Sequence, residues 1–223
     1  MITALHGFLG LPADWDFFPV NAVPLGKAKP FWKWAEQFNK TNKDKPRILM
    51  GYSLGGRLAL HALVASPQQW DAAIIISAHP GLDSQQDKTR RLEKSLAWAA
   101  RFETDPWDDL MRDWEAQDVF VGNTFRFNRK ESDYDRHQLA DMLRVWSLGR
   151  QENLVSQVQK LPCPILWIAG QNDPTYAGIV STLSLVDPKS KVWIVPSAGH
   201  RVPWEQPDAF KNEVNLFLSR LHQ

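Results

Sequence analysis

Three residues of the chain have the types, and stand in the contexts, that suit proton transfer or nucleophilic attack. Ser53 lies inside the glycine-rich run 51–56, Asp173 follows an apolar run, and His200 follows the next apolar run along the chain. In such a set the histidine accepts the serine proton, while the carboxylate orients the imidazole ring and stabilises its charged form. The sequence therefore predicts a catalytic triad of Ser53, Asp173 and His200, with Asp187 as the alternative acid.

Ser53 stands where a strand is expected to turn sharply into a helix. The run before it, Arg47–Met50, is mostly apolar, and the run after it, Arg57–Val64, is compatible with a helix. A serine on such a turn has a strained backbone, and side chains at Gly51 or Gly55 would clash where strand and helix converge. The pattern G-x-S-x-G in this setting predicts a nucleophile elbow, which presents the serine hydroxyl at a helix N-terminus.

A second loop is predicted to supply hydrogen bonds to a developing negative charge. A short apolar run, Ile2–Leu5, leads into the sequence H-G-F-L-G at 6–10. A strand that ends in this pattern is typical of an oxyanion-hole loop. We expect the backbone N–H groups of Phe8 and Leu54 to form the hole, and we interpret His6 as a structural turn residue rather than a catalyst.

Alternating apolar strands and amphipathic helices would bring these residues together. Strands are predicted at the following apolar runs: Ile2–Leu5, Pro19–Pro24, Arg47–Met50, Ala72–Ala78, Pro164–Gly170 and Lys191–Pro196. Helices are predicted around Phe31–Asn39, Arg57–Val64 and Gln206–Leu221, and a polar turn at 43–46. This alternation predicts a mostly parallel sheet. The carboxyl ends of parallel strands share one edge, where Ser53, Asp173 and His200 would meet.

Residues 83–160 differ in character from the rest of the chain, because they hold charged amphipathic stretches and no β-branched runs. Helices are predicted at Arg90–Phe102, Trp107–Gln117, Asp135–Ser147 and Asn153–Lys160. We interpret them as a helical cap over the elbow, inserted into a single α/β domain spanning 1–223. Several of the 11 tryptophans fall in this segment, and we expect them to serve the helical core more than a pocket.

The composition excludes several functional classes. The net charge of +1 gives no indication of a nucleic acid or an anionic membrane surface as partner. The one cysteine, Cys163, excludes an intramolecular disulfide and is expected to be a small packed residue. Neither a signal peptide nor a membrane-spanning run is predicted, so we expect a cytoplasmic protein. No metal or cofactor site is predicted.

Four motifs and the pattern of the cap resemble one enzyme family. The motifs are H-G-F-L-G at 6–10, G-Y-S-L-G-G-R at 51–57, H-P-G-L at 79–82 and S-A-G-H at 197–200. In the cap, R-R-L at 90–92, W-A-A-R-F at 98–102 and D-W at 113–114 continue the match. Together they resemble the 2-succinyl-6-hydroxy-2,4-cyclohexadiene-1-carboxylate synthases of menaquinone biosynthesis, which have the α/β-hydrolase fold. The chain begins almost on the first oxyanion-hole strand and lacks the family's D-L-P-G-H-G stretch, so a trimmed sheet of about six strands is expected.

The resemblance implies a carbon–oxygen lyase that removes a proton from a multi-carboxylate cyclohexene substrate and expels pyruvate without adding water. The triad serine would then act as a base. The resemblance also implies substrate-binding roles for five residues of this chain, of which Arg129 is only the nearest counterpart of a third family arginine: Tyr52, Arg57, Arg91, Trp114 and Arg129. An arginine fork binds a carboxylate with two hydrogen bonds, so the substrate would be a small anion.

Two other functions are compatible with the same residues. A carboxylesterase or thioesterase would use the same triad and elbow with Ser53 as an acylated nucleophile. A non-catalytic ligand-binding protein on this fold is the remaining alternative. Turnover of a neutral ester would favour the esterase, and ligand binding without turnover would favour the binding protein.

Overall fold

A parallel sheet forms the centre of the protein. Within residues 1–42 and 47–221, which the computed structural model describes, six strands form one sheet in the order β2-β1-β3-β4-β5-β6. The strands are β1 Ile2–Leu5, β2 Asn21–Val23, β3 Ile48–Tyr52, β4 Ala72–Ile76, β5 Ile165–Gly170 and β6 Lys191–Val195. Every neighbouring pair is parallel. The predicted sheet is therefore confirmed, whereas the polar turn predicted at 43–46 lies outside the described residues.

The central strands are apolar on both faces because helices cover both sides of the sheet. All five residues of β3 and all five of β4 are buried. Their alternate side chains enter two separate cores, so that Leu49 packs in one and Met50 in the other. Such continuous apolar strands are typical of a sheet that is covered on both faces. β2 lies within the predicted run Pro19–Pro24 and is an edge strand, the position in a sheet where prolines are tolerated.

The helices follow the strands in the expected alternation. Those outside the 83–160 segment are α1 Phe31–Thr41, α2 Leu54–Ala65, α7 Pro174–Ser181, α8 Val202–Glu205 and α9 Pro207–Leu221. The helix α1 presents the buried side chains of Phe31, Trp34 and Ala35 to the core and packs against α2. The long α9 buries Phe210, Val214 and Phe217 on the opposite face of the sheet.

Four helices lie between β4 and β5, and we call residues 85–158 the helical insertion. They are α3 Gln85–Thr104, α4 Trp107–Glu115, α5 Arg136–Val145 and α6 Val155–Val158. The last is much shorter than the helix predicted at Asn153–Lys160. It ends early because the backbone N–H of Lys160 bonds the carbonyl of Gln157, three residues back, instead of continuing the four-residue pattern.

The carboxyl ends of neighbouring strands lie side by side, and three of these strands lead into the residues of interest. The sheet register aligns Leu5 of β1 with Gly51 of β3, and Tyr52 of β3 with Ile76 of β4. Ser53 follows β3 directly, Asp173 comes shortly after β5, and His200 comes shortly after β6. Three residues far apart in sequence are therefore delivered to one edge of the sheet.

Candidate active site

Ser53 sits on a turn with the strained backbone that an elbow requires. Its φ and ψ are 52° and −112°, and α2 begins at the next residue, Leu54. The backbone N–H of Ser53 donates to the carbonyl of Ile76 on the neighbouring strand at 2.9 Å. A non-glycine residue in this conformation costs about 1–3 kcal/mol, so the surrounding structure must hold it there.

Two glycines of the motif are needed because backbone segments touch at the elbow. A Cβ atom on Gly51 would lie 2.6 Å from the carbonyl oxygen of Gly55, closer than real Cβ contacts. A Cβ atom on Gly55 would collide with the carbonyl oxygens of Leu5 and His6, at the end of β1. The start of α2 thus rests directly against the loop that follows β1, and this contact brings the two halves of the predicted oxyanion hole together.

The three triad candidates form a connected relay. The Nε2 atom of His200 lies 3.0 Å from the Oγ atom of Ser53, and the Nδ1 atom lies 2.6 Å from the Oδ2 atom of Asp173. His200 and Asp173 are both buried, 3% and 4% exposed. The alternative acid, Asp187, instead accepts a hydrogen bond from the backbone N–H of Lys189. Geometry therefore favours Asp173 as the partner of His200.

Asp173 also caps the helix that follows it. Its Oδ1 atom accepts a hydrogen bond from the backbone N–H of Tyr176 at 3.4 Å, at the start of α7, while its Oδ2 atom faces His200. The two carboxylate oxygens are thus used separately. Capping the helix fixes the orientation of the carboxylate, which in turn fixes the histidine ring.

The loop that carries His200 is held by side chains from two directions. The backbone N–H of His200 donates to the Oδ1 atom of Asn123 at 2.8 Å, and that of Gly199 donates to Glu205 at 3.0 Å. Arg201 makes two hydrogen bonds with the carboxylate of Glu115 on α4, at 2.5 and 2.8 Å. The helical insertion therefore contacts the His200 loop directly, because Asn123 binds the backbone of His200 and Glu115 binds the side chain of Arg201.

The predicted oxyanion loop lies beside the serine. Phe8 and Leu54 both line the cleft that contains Ser53. The turn is tight, with Leu9 at a positive φ of 57° and a hydrogen bond of 3.0 Å from the N–H of Gly10 to the carbonyl of Gly7. The Nδ1–H of His6 donates to the same carbonyl at 2.8 Å, and burial lowers the pKa of this imidazole. His6 is thus a neutral residue that stabilises the turn, as interpreted from the sequence.

A cleft of about 590 Å³ opens above the serine, between the sheet edge and the helical insertion. Its floor includes Ser53, His200 and Tyr176, and its walls come from α3, α4 and α5. Trp107 and Trp146 belong to the buried core, and Trp114 packs against it. Trp114 and Trp146 also line the cleft, so the tryptophans of this segment serve the core, as the sequence favoured, and two of them serve the cleft as well.

Arg57 and Arg91 both line this cleft, as predicted. Arg57 lies one turn into α2, and its Nη1 atom donates to the Oε1 atom of Gln151 at 3.1 Å. Burial lowers the pKa of Arg57 to about 10, with a further decrease caused by the charge of Arg91. Neither guanidinium has an ion-pair partner within residues 1–42 and 47–221. Guanidinium groups of this kind, with no acidic partner among the described residues, are the groups that bind carboxylates in proteins through paired hydrogen bonds.

The remaining charges of the cleft are partly paired. Besides Arg57 and Arg91, its charged lining comprises Arg90, Lys94, Asp87, Asp118 and Asp173. Arg90 forms an ion pair with Asp87, and Asp173 faces His200. The cleft therefore has more cationic side chains than carboxylates, and the cations are carried by α3 and by the start of α2.

The structure places the other predicted substrate-binding residues around a second, smaller cavity of about 60 Å³ that Ser53 also lines. Tyr52, Trp114 and Arg129 line it, and Trp114 lines the larger cleft as well. Arg129 makes two hydrogen bonds of 2.7 Å with the carboxylate of Asp14, and both side chains are 9% exposed. Arg129 is thus a paired cation outside the lining of the larger cleft, in contrast to Arg57 and Arg91.

Sequence reasoning missed four residues that shape the site. Gln151 is 1% exposed and joins Arg57 to the carbonyl oxygen of His79, through bonds of 3.1 and 2.9 Å. Asn123 binds the backbone of the His200 loop. Neither residue belongs to a local motif, so only the fold could have indicated them. The pairing of Glu115 with Arg201 had no sequence signal either, because 86 positions separate them.

Residues 1–42 and 47–221 contain neither a cluster of metal ligands nor a membrane-spanning helix. No group of three or more His, Cys, Asp and Glu side chains in this part of the chain is arranged to hold a metal ion. No helix in the same residues is long and apolar enough to cross a membrane.

Comparison with known proteins agrees with this geometry. A profile of the alpha/beta hydrolase family matches residues 5–213, which is most of the chain. The chain belongs to the alpha/beta hydrolase family. This α/β-hydrolase is 35% identical to the 2-succinyl-6-hydroxy-2,4-cyclohexadiene-1-carboxylate synthase of Serratia proteamaculans, over 176 residues that cover 76% of the chain and 67% of the relative. It is 31% identical to the synthase of Pectobacterium atrosepticum, with 98% and 93% of the two sequences covered.

Solved structures show the same fold. MenH from S. aureus superposes on this α/β-hydrolase with a TM-score of 0.89 and 22% identity, covering 100% of the chain and 94% of MenH. A thermophilic esterase from Thermogutta terrifontis has a TM-score of 0.70 and 17% identity, covering 100% and 90%. The resemblance stated from the motifs is thereby confirmed.

Proposed function

We propose that the protein is a synthase that forms 2-succinyl-6-hydroxy-2,4-cyclohexadiene-1-carboxylate by eliminating pyruvate from its precursor. The proposal rests on one observation above all, the two arginines that line the cleft above Ser53 and have no ion-pair partner within residues 1–42 and 47–221. Arg57 is half-buried and Arg91 is exposed, and a cation that is partly removed from water is stabilised by an accompanying anion. A substrate with several carboxylates would supply that anion, whereas a neutral ester would not.

The relay is suited to proton abstraction in this reaction. Ser53 Oγ would take the proton from the substrate carbon while its own proton passes to His200 Nε2, 3.0 Å away. The carbon–oxygen bond to the pyruvyl unit then breaks, and the departing enolate of pyruvate takes up the proton from His200. One substrate molecule gives two products, and no water is consumed. Asp173 stabilises the histidine while it carries the proton.

The loop after β1 and the start of α2 would stabilise the negative charge that develops during this step. Removal of a proton next to a carbonyl group places charge on the carbonyl oxygen. The backbone N–H groups of Phe8 and Leu54, together with the positive end of the α2 dipole, would lie opposite that oxygen. Because the elbow and this loop are in contact through Gly55, the donors need no rearrangement.

Arg57 and Arg91 would hold the carboxylates of the substrate. The pKa of Arg57, about 10, keeps its guanidinium charged at neutral pH despite burial. Gln151 fixes the direction of this guanidinium and leaves its other N–H groups available to a ligand. Trp114, beside Phe8, supplies an apolar surface against the ring of the substrate.

The direct test is to supply the pyruvate-bearing precursor and to measure released pyruvate. We expect turnover by the wild-type protein and none above background with Ser53→Ala. Absence of pyruvate release with a folded wild-type protein would contradict the proposal.

A serine esterase is the second candidate, since the same relay is suited to acyl transfer and the fold is shared with a thermophilic esterase. Turnover of p-nitrophenyl acetate with an acyl group trapped on Ser53, and no pyruvate release from the precursor, would favour it.

The synthase proposal also includes a small anionic substrate as partner and a cytoplasmic location. In the cytoplasm a buried free thiol such as Cys163 stays reduced.

A further inference from the structure

His79 belongs to the H-P-G-L turn after β4 and has no role in the relay described above. The turn is fixed to the insertion by a hydrogen bond of 2.8 Å from the backbone N–H of Leu154 to the carbonyl of Pro80. Gly81 has a positive φ of 128° and packs against the backbone at Glu152 and Asn153, so only glycine fits. The imidazole of His79 is half-buried and lines the cleft above Ser53.

A single contact determines which nitrogen of this ring carries the proton. The backbone N–H of Gly81 donates to the Nδ1 atom of His79 at 3.0 Å. Nδ1 must therefore keep a lone pair, which leaves the proton on Nε2 and the ring neutral, because a charged imidazole has no acceptor. The Nε2–H group has no hydrogen-bond partner within residues 1–42 and 47–221. The ring thus presents a donor of fixed position, without an acceptor, at the cleft.

The charges around His79 keep the ring neutral. Burial lowers its pKa to about 4, with further decreases caused by Arg57 on α2 and Arg91 on α3. Asp83, which follows the same turn, has a smaller opposing effect on this pKa, and its carboxylate is bound by Asn153. Tyr176 on α7 meets the ring edge-on, with 6.4 Å between centroids. A neutral donor beside two guanidinium groups adds a hydrogen bond without adding like-charge repulsion.

We propose that His79 is a specificity-determining residue whose Nε2–H donates a hydrogen bond to a carboxylate oxygen of the bound substrate. This inference rests on the proposed synthase function, because it requires an anionic ligand held by Arg57 and Arg91. A carboxylate has about four acceptor sites, so one that is bound by an arginine fork still has lone pairs for a third donor. The turn alone does not explain an imidazole here, since it uses only Nδ1.

Two amide variants of His79 test its role as acceptor in the turn separately from its role as donor to a ligand. In His79→Asn the amide oxygen takes the place of Nδ1 and still accepts from Gly81, but no group replaces Nε2–H. In His79→Gln the amide nitrogen reaches the place of Nε2 and restores a donor, while the acceptor for Gly81 is lost. The proposal therefore predicts that Gln rescues ligand binding better than Asn, although Asn preserves the turn better.

The experiment measures binding of succinate and of the reaction product to the wild-type protein and to both variants by calorimetry, together with KM and kcat for pyruvate release. We expect His79→Asn to weaken binding and raise KM about ten- to a hundredfold with a smaller change in kcat, and His79→Gln to recover most of the loss. Thermal unfolding should show the opposite order, with Asn the more stable variant. Equal binding by wild type and both variants, or rescue by Asn alone, would show that His79 serves only the turn.

A second measurement needs no substrate at all. The ring ¹⁵N shifts of His79 in the intact protein should report a proton on Nε2 at every pH from 5 to 8. A proton on Nδ1, or titration near the ordinary value of 6.5, would overturn the proposal. Failure of pyruvate release with intact carboxylate binding and this tautomer would contradict the synthase function and leave the donor role supported. Failure of wild type to bind either carboxylate would overturn the donor role.

Discussion

Ser53 combines a strained backbone with a side chain that belongs to the relay. Its φ is positive, at 52°, and its hydroxyl oxygen lies 3.0 Å from the Nε2 atom of His200. This residue could be identified from the sequence because the requirement is local: glycines must flank it wherever the strand turns into a helix. The same holds for the oxyanion loop at 6–10.

Ser53→Ala should abolish catalysis with little effect on stability. Alanine can adopt the same backbone as serine and loses only one hydrogen bond to His200. We expect kcat to fall by at least about a thousandfold, while the free energy of unfolding changes by about 1 kcal/mol or less. Pyruvate release and denaturant unfolding measure the two quantities. A variant with more than a tenth of wild-type kcat would exclude Ser53 as the base or the nucleophile.

Arg91→Ala should weaken the reaction with the anionic precursor much more than hydrolysis of a neutral ester. Loss of one charged hydrogen-bonded contact costs roughly 1.5–3 kcal/mol, or about ten- to a hundredfold in kcat/KM. Arg112→Ala is the matched control, because Arg112 is 68% exposed and pairs with Asp109 away from the cleft. Equal losses on both substrates, or equal effects of the two variants, would remove the argument for a carboxylate ligand.

At this scale the sequence could not predict which side chains hold each other in place across long sequence separations. Arg57 could be assigned to the cleft because it lies four residues after Ser53, about one helical turn. Its partner Gln151 is 94 positions away and has no motif around it. The pairing of Arg129 with Asp14, across 115 positions, was equally invisible. The fold alone makes these contacts.

Among the elements, α2 carries a titratable group where it packs against α1. His61 is 1% exposed and stacks on the ring of Phe31, with 4.3 Å between centroids. Its Nδ1–H donates to the carbonyl of Arg57 at 2.7 Å, while its Nε2 atom is buried with no partner in the described residues. Burial lowers the pKa of His61 to about 4, so the ring is neutral in the folded protein at neutral pH.

The stability of the protein should fall on acidification through this group. The pKa of His61 is about 4 when folded and 6.5 when unfolded, so between these values the unfolded state binds a proton that the native state does not. The free energy of unfolding then decreases by up to about 1.4 kcal/mol for each pH unit below 6.5, and is unaffected above it. His61→Phe, which keeps a ring against Phe31, should reduce that slope. An unchanged slope between pH 6.5 and 5, measured by denaturant titration, would contradict this assignment.

The elements themselves were largely predictable, because each is defined by a local pattern. Apolar runs such as Ala72–Ile76 mark buried parallel strands, and the amphipathic run after Phe31 marks α1. The short α6 was overestimated, since the run Asn153–Lys160 has helical composition and yet the chain turns back before Pro162 toward β5. The boundary there is set by the position of the next strand, which no local pattern reports.

On the scale of the whole molecule, the helical insertion contacts two of the loops that carry site residues, the oxyanion loop and the His200 loop. Tyr134 donates a hydrogen bond to the carbonyl of Leu9 in the oxyanion loop at 2.8 Å. Asn123 receives one from His200, and Glu115 pairs with the neighbouring Arg201. The insertion was predicted as a cap over the serine, and these contacts indicate that it also positions the loops below it.

Glu115→Gln should therefore reduce both stability and turnover. Arg201 is 4% exposed, and removal of one partner from a buried ion pair leaves an uncompensated charge, which costs about 3 kcal/mol or more. Combining Glu115→Leu with Arg201→Met should recover most of the stability, because the charge is then removed as well. Asp109→Asn breaks the exposed pair with Arg112 on the same helix and should change stability by less than about 1 kcal/mol. Equal effects of the two single variants would show that the buried pair is unimportant.

The contacts of the insertion with the His200 loop limit how this enzyme can be recombined with its relatives. A chimaera that replaced residues 85–158 with the cap of another α/β-hydrolase would remove Glu115 and Asn123, and would leave Arg201 and the His200 backbone without partners. Such an exchange requires the loop 199–205 to be transplanted together with the cap. Residues 85–158 and the loop 199–205 are far apart in the chain, yet they have to be exchanged together whenever the cap of this protein is replaced.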